Sequence, residues 1–189
     1  MKEDFRTDVK NALLVLKQGG TILYPSDTIW GIGCDATNEN AVKKINKIKG
    51  SSKSMLVLTD SANMLYSYID TIPDIAFQLI EVSEKPLTII YPKAKNLANN
   101  ILGNDGSIGI RIVNDDFCKE LIRQLRKPLV STSANLSTSK TPQFFDEIDD
   151  TILSSVDYTV KWKQDDIFKS KPSSIIKIGF GGEIKIIRK

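Results

Sequence analysis

The stretch RKPLVSTSANLSTSK, residues 126–140, sets the terms for the fold. A short apolar run, Pro128-Leu129-Val130, opens directly into Ser131, Thr132, Ser133, Asn135, Ser137, Thr138 and Ser139. The apolar part reads as a buried strand. The polar part has two readings. It is a surface turn, because Ser, Thr and Asn are habitual turn and cap residues, or it is a strand end that offers donors and acceptors to a polar ligand. The neighbouring segments decide between them.

Working outward, helical and strand patterns alternate. DVKNALLVLKQGG carries Val9, Ala12, Leu13 and Leu16 at helical spacing and stops at Gly19-Gly20. TILYP reads as a strand ending at Pro25, and ENAVKKINKIK as an amphipathic helix with Ala41, Val42, Ile45 and Ile48 inward. SMLVLTD and PLTIIYP read as strands, with two helices between them, near 61–69 and in PDIAFQLIEVSE after Pro73. SIGIRIV alternates as a strand carrying Arg111, and DDFCKELIRQLR is a helix with acids in its first turn. Beyond the hydroxyl stretch we expect a helix over 143–155, a strand near VDYTV and a hairpin in SSIIKIGFGGEIKIIRK. Helix-separated strands together with a closing hairpin imply one α/β domain, residues 1–189, with a mixed sheet.

The polar loops recur at one kind of place. YPSDTIWGIG follows the strand 21–24, STSAN follows 128–130, and KGSSK precedes 55–58. In open α/β sheets ligands lie beyond strand carboxyl ends, so these loops are expected to converge on one cleft. That tilts the hydroxyl stretch towards a ligand site. The lysines of KKINKIKGSSK form either a solvated helix face, as charge runs usually do, or a cradle for phosphates.

Composition narrows the chemistry. At 41% hydrophobic and 26% charged over 189 residues, the chain has material for a substantial core. No run approaches the roughly 20 apolar residues of a membrane span. MKEDFRTDVK has no apolar centre of a signal peptide, so a cytoplasmic protein without membrane association is expected. There is no histidine, which removes Ser-His-Asp and Cys-His catalysis and the usual zinc sites. Cys34 and Cys118 have no metal-ligand spacing and read as buried thiols. A net charge of +3 does not by itself announce a nucleic-acid binder.

The order Y-P-[ST]-[DE]-T-x-[YWF]-G-[IL]-G, a lysine-rich segment, a strand bearing Arg, S-x-N, and P-S-[ST]-I resembles the YrdC/Sua5 family of threonylcarbamoyl-adenylate synthases. The resemblance runs from about Gly19 to the C-terminus and is carried chiefly by YPSDTIWGIGCDA and PLVSTSANLS. It implies a twisted, open mixed sheet flanked by helices, with a basic concave cavity. The implied reaction joins L-threonine, bicarbonate and ATP into threonylcarbamoyl-AMP and pyrophosphate, with Mg2+ accompanying the nucleotide. The labile product would pass to the threonylcarbamoyltransferase complex that builds the t6A modification of tRNA.

Residue by residue, the resemblance assigns Ser26, Arg111, Ser131 and Ser173 to threonine. It assigns Lys49, Lys53, Ser107, Ser133, Asn135, Thr141 and Arg188 to ATP, and makes Lys49, Arg111, Ser133 and Asn135 the catalytic set. No residue is assigned as a metal ligand. Two departures stand out: the Arg of the K-x-R motif is missing from IKGSSK, and the P-G-P-x-T segment appears as Glu84-Lys85-Pro86-Leu87-Thr88. Lys53, with Lys47 nearby, is the candidate to supply the missing charge, although Lys is not a bidentate substitute for Arg.

The residues themselves leave alternatives open. Arg111 on an alternating strand also suits a salt bridge, Ser173 a strand start, Trp30 a core aromatic and Asp27 a turn. A lack of histidine fits the implied reaction, since a threonine carbamate is already anionic and needs no general base to attack phosphorus. Two rivals stand beside it. One is carbamoyl-adenylate formation from carbamoyl phosphate. The other is a non-catalytic module binding double-stranded RNA or tRNA through phosphate contacts.

Overall fold

The computed structural model describes residues 5–50, 55–167 and 171–189. Helix α1 (Arg6–Lys17) leads into strands β1 (Ile22–Tyr24) and β2 (Gly31–Gly33), and helix α2 (Glu39–Lys49) precedes β3 (Leu56–Thr59). Helices α3 (Ala62–Tyr68) and α4 (Asp74–Val82) precede β4 (Leu87–Tyr91) and β5 (Ile108–Ile112). Helix α5 (Asp116–Leu125), β6 (Leu129–Ser133), α6 (Asp150–Ser155) and β7 (Tyr158–Thr159) follow, and β8 (Ser174–Ile178) and β9 (Ile184–Arg188) close the chain as a hairpin.

Among the described residues these strands form one twisted nine-stranded sheet in the order β7-β1-β2-β6-β3-β5-β4-β8-β9. Pairs β1/β7, β3/β5 and β4/β8 are parallel and the others antiparallel, so the sheet is mixed as the sequence implied.

Strand alternation gives the sheet two unlike faces. One face carries Leu23, Ile32, Val57, Ile89, Ile110, Val130 and Ile176 against Ala41, Val42 and Ile45 of α2, Leu65 of α3 and Ala76 of α4. On the opposite face Ile22, Tyr24, Leu58 and Leu129 meet Val9, Ala12 and Leu16 of α1 and Phe117, Leu121 and Ile122 of α5. Helix α2 starts where the Asn38 side chain accepts from the Asn40 and Ala41 amides, and α5 where Asp115 accepts from the Cys118 amide.

Three expectations need correction. The loop expected over YPSDTIWGIG contains β2, which pairs with β1 and β6. Its Gly-Ile-Gly sequence carries no strand pattern, yet glycine is required: a Cβ on Gly33 would lie 2.5 Å from the Val130 carbonyl and 2.7 Å from the Tyr24 ring. The strand at 128–130 continues through Ser133, so three of the hydroxyls are sheet residues. The helix expected over 143–155 is only Asp150–Ser155, preceded by a 3-10 turn at Phe145–Glu147. Glu147 closes that turn by accepting from the Gln143 amide at 2.7 Å, and Asp149 starts a separate helix by accepting from Thr151 at 2.8 Å.

Candidate active site

The second face is helix-covered only in part. Where α1 and α5 end, the inward positions change from large apolar residues to Gly31, Ser131, Gly109, Thr88 and Ser173, and the sheet is left concave. The resulting cavity has a volume of about 460 Å³, within the range of small-molecule sites. It draws on β2, β6, β3, β5, β4, β8 and β9, which are consecutive in the sheet. Trp30, Met55 and Ile101, which belong to the core on the other face, complete the apolar part of its wall.

Arg111 is the deepest charge in this wall, 2% exposed. Its Nη1 donates to Thr28 Oγ1 at 2.8 Å and lies 3.1 Å from Asp27 Oδ1. The Asp27 contact is a close ion pair without hydrogen-bond alignment, since Oδ1 has no partner, while Oδ2 accepts from the Asn114 amide at 2.8 Å. Arg111 Nε also has no partner although it is buried. A buried donor without an acceptor is costly, and this one belongs to a side chain that lines a cavity.

The hydroxyls beside it have a definite polarity. Ser26 donates to the Ile29 carbonyl at 2.9 Å and accepts from the Thr28 amide at 3.2 Å. With the Ser26 proton so directed, the 3.0 Å contact between the two hydroxyls uses the Thr28 proton. Thr28 therefore faces the cavity as an acceptor beside a guanidinium donor. On β4, the strand next to that of Arg111, Thr88 shares a 2.7 Å hydroxyl contact with Ser173, and Arg188 donates to the Ser173 carbonyl from Nε at 2.9 Å and Nη2 at 2.7 Å. Desolvation first, then the positive charge of Arg111, holds the Arg188 pKa below the ordinary arginine value. Two guanidiniums therefore bear on one hollow.

Of the residues singled out from sequence, Ser107, Arg111, Ser131, Ser133, Thr141, Ser173 and Arg188 line this cavity together. Lys53 lies outside the described residues. Ser26, Lys49 and Asn135 are not among the lining residues. Ser26 is spent on Thr28 and Ile29. The Lys49 ammonium is held behind Ser133: it donates to the Ser133 carbonyl at 2.6 Å, to the Ser133 hydroxyl at 3.4 Å, to the Asn135 carbonyl, and to Asn135 Oδ1 at 3.3 Å. The Asn135 amide donates to the carbonyls of Leu136 at 2.8 Å and Ser139 at 2.7 Å. These two residues brace the loop after β6 and fix where Ser133 sits.

Sequence reasoning missed Thr28, Thr88, Asp105 and Lys177, all of which line the cavity. A usable signal existed for two of them. Thr88 alternates with Ile90 in PLTIIYP, and Lys177 with Ile175 and Ser173 in the closing hairpin. Trp30 stands between its two readings, packing 4.9 Å from Phe145 while forming part of the wall.

Comparison with known proteins matches this architecture to one family. The model of the Sua5/YciO/YrdC family, described as telomere recombination, covers residues 14–189. A threonylcarbamoyl-AMP synthase of Pseudoalteromonas translucida is 34% identical over 141 residues, 72% of this chain and 75% of that protein. Among solved structures, Escherichia coli YciO superposes with a TM-score of 0.84 at 23% identity, covering 98% of this chain and 90% of that one. Sua5 of P. abyssi in complex with L-threonine gives 0.81 at 22% identity over 91% of this chain, which spans only 51% of the Sua5 chain. At those identities the two structures speak to the fold alone.

Proposed function

The chain belongs to the Sua5/YciO/YrdC family, and on that premise we propose that it is an enzyme making threonylcarbamoyl-AMP from L-threonine, bicarbonate and ATP. The reaction is an adenylyl transfer that supplies the t6A modification of tRNA. One observation carries the reading: the buried Arg111, with a free Nε, shares a cavity with Arg188, Ser131, Ser133 and Ser173. Such a wall suits a substrate bearing several negative charges.

In this reading the threonine carboxylate lies against Arg111, where a guanidinium donor stands beside the Thr28 acceptor. That pairing suits a ligand with an anionic acceptor and a nearby donor, such as the amino acid's hydroxyl or carbamate N–H. Ser131 and Ser173 complete that side. Ser107, Ser133, Thr141 and Arg188 serve the nucleotide, while Lys49 and Asn135 act through the position of Ser133, and Ser26 through Thr28.

Once the neutral threonine amine has condensed with bicarbonate, giving the carbamate and releasing water, a carbamate oxygen attacks the α-phosphorus. The new O–P bond forms as the α–β bridge breaks, and pyrophosphate leaves. No proton has to be removed from the nucleophile, so a chain without histidine suffices. Its task is to hold two anions in line and to neutralise charge on the leaving group. Positioning of this kind is worth roughly 7–11 kcal/mol of barrier.

Mg2+ would accompany the nucleotide and help to neutralise charge on the departing pyrophosphate. Among the described residues no group of three or more His, Cys, Asp and Glu is gathered to hold a metal. Also among the described residues, no helix is long and apolar enough to cross a membrane. The labile adenylate would be handed to the complex that threonylcarbamoylates tRNA.

A pyrophosphate-release assay with ATP and bicarbonate, run with and without L-threonine, tests the proposal. Release should require threonine, and mass detection should find the adenylate. Release that ignores threonine would reject this reading in favour of another nucleotide-consuming reaction.

A further inference from the structure

The cations lining the cavity among the described residues are Arg111, Arg188 and Lys177, and they are unequally committed. Arg111 is held within the wall by Asp27 and Thr28. Arg188 directs two nitrogens at one carbonyl. Lys177 has the loosest tie. Its ammonium stands 2.6 Å from Asp105 Oδ2, in a pair whose side chains are 40% and 56% exposed. An exposed pair of this kind adds little to stability and is screened by solvent. It yields readily to a more highly charged anion.

Its place in the sheet suits such a transfer. Lys177 pairs with Ile90, Ile90 with Gly109, Gly109 with Leu56 and Leu56 with Ser131, so one row of residues crosses the cavity floor. Lys177 stands in that row on β8, with Lys185 of the edge strand β9 beyond it, and of these two lysines it is Lys177 that lines the cavity. A flexible four-carbon stem lets the ammonium swing inward.

Asp105 is the odd residue out, a carboxylate in a cationic hollow. Its Oδ1 accepts from both the amide and the hydroxyl of Ser107, at 3.1 and 2.5 Å. The loop is built tightly around these bonds: a Cβ on Gly103 would stand 2.9 Å from both Asp105 Oδ1 and Ser107 Oγ. The Lys177 bond first, then those from Ser107, hold the Asp105 carboxyl well below the usual carboxylate range. It remains ionised at neutral pH and presents both neighbours to the cavity.

We propose that Lys177 is a phosphate-binding residue of this cavity, resting on Asp105 without nucleotide and moving to the phosphate chain of bound ATP. The proposal rests on reading the cavity as a nucleotide site. It also gives the cavity a mobile positive charge in a chain whose sequence lacks the K-x-R arginine.

Calorimetric titration of the full chain with ATP, tripolyphosphate, adenosine and L-threonine tests it, with melting curves to verify that each variant is folded. Lys177→Met should weaken ATP and tripolyphosphate about tenfold and leave adenosine and threonine unchanged. Lys177→Arg, which keeps the charge, should recover most of the loss. Asp105→Asn retains an acceptor for Ser107 and should bind ATP at least as tightly as the parent. Unchanged ATP and tripolyphosphate affinity in Lys177→Met would overturn the proposal. So would an Asp105→Asn variant weakened as far as Lys177→Met, which would make the pair a structural brace. If the parent chain fails to release pyrophosphate with threonine while Lys177→Met still weakens tripolyphosphate, the enzymatic reading fails and the phosphate site stands. If the parent turns over and Lys177→Met binds normally, only the phosphate site fails.

Discussion

A guanidinium taken out of water needs its donors engaged, and Arg111 engages only part of them. Thr28 and Asp27 fix one edge of the group, while Nε waits without an acceptor. A ligand carboxylate would satisfy it in a way that lysine cannot, because an ammonium lacks the planar fork. Arg111→Ala should therefore raise the KM for threonine about a hundredfold and leave that for ATP nearly unchanged, with Arg111→Lys falling between. Steady-state kinetics with each substrate varied in turn measures this, and an equal rise in both constants would detach Arg111 from the amino acid. The arginine itself was legible in SIGIRIV. Its orienting partners were less so, because Asp27 and Thr28 sit in a turn whose partner strand lies more than eighty residues away along the chain.

Between elements, the decisive link joins the end of α2 to the end of β6. Lys49 is 8% exposed, and its ammonium gathers the carbonyls of Ser133 and Asn135. Lys49→Met would take the ammonium from both carbonyls, that of Ser133 keeping the Asn135 amide at 2.9 Å, at a cost of about 2 kcal/mol. Urea denaturation should show that loss, and pyrophosphate formation should fall as Ser133 loses its support. An unchanged urea midpoint would show that the ammonium is not the tie. Sequence periodicity found most elements because their apolar spacing is strong, as in α2 and α5. It failed at β2, where Gly31 and Gly33 leave no side chain to count, and before α6, where Glu147 and Asp149 cap different turns. The hydroxyl stretch was legible as a site element, but the seat of Lys49 behind Ser133 was not. A lysine in a basic run gives no sign of which carbonyls it will meet.

Across the whole molecule, the cavity wall is assembled from residues between Thr28 and Arg188, so a ligand there bridges the sheet from β2 across to β9. At one hundred times its Kd, ATP should add about 2.7 kcal/mol, a rise of roughly 5–10 °C in Tm for a chain of this size. Trp30 lies at the cavity, whereas Trp162 packs 5.6 Å from Phe5 on the α1 side. Trp30→Phe and Trp162→Phe each leave one fluorescent reporter, and both should register the same shift if the sheet unfolds as one unit. A shift confined to the Trp30 reporter would mean that the two sides melt separately. The final strand adds a geometrical consequence. Its register slips between Ile175 and Ile176, so that Arg188, and not Ile187, stands opposite Ile175. Since sheet residues alternate sides, the phase of that one strand determines whether a guanidinium or an alkyl group looks into the hollow. The charge of the site is thus written in strand length as well as in residue identity: the one extra residue accommodated at that bulge is what brings Arg188, and not Ile187, to the cavity side.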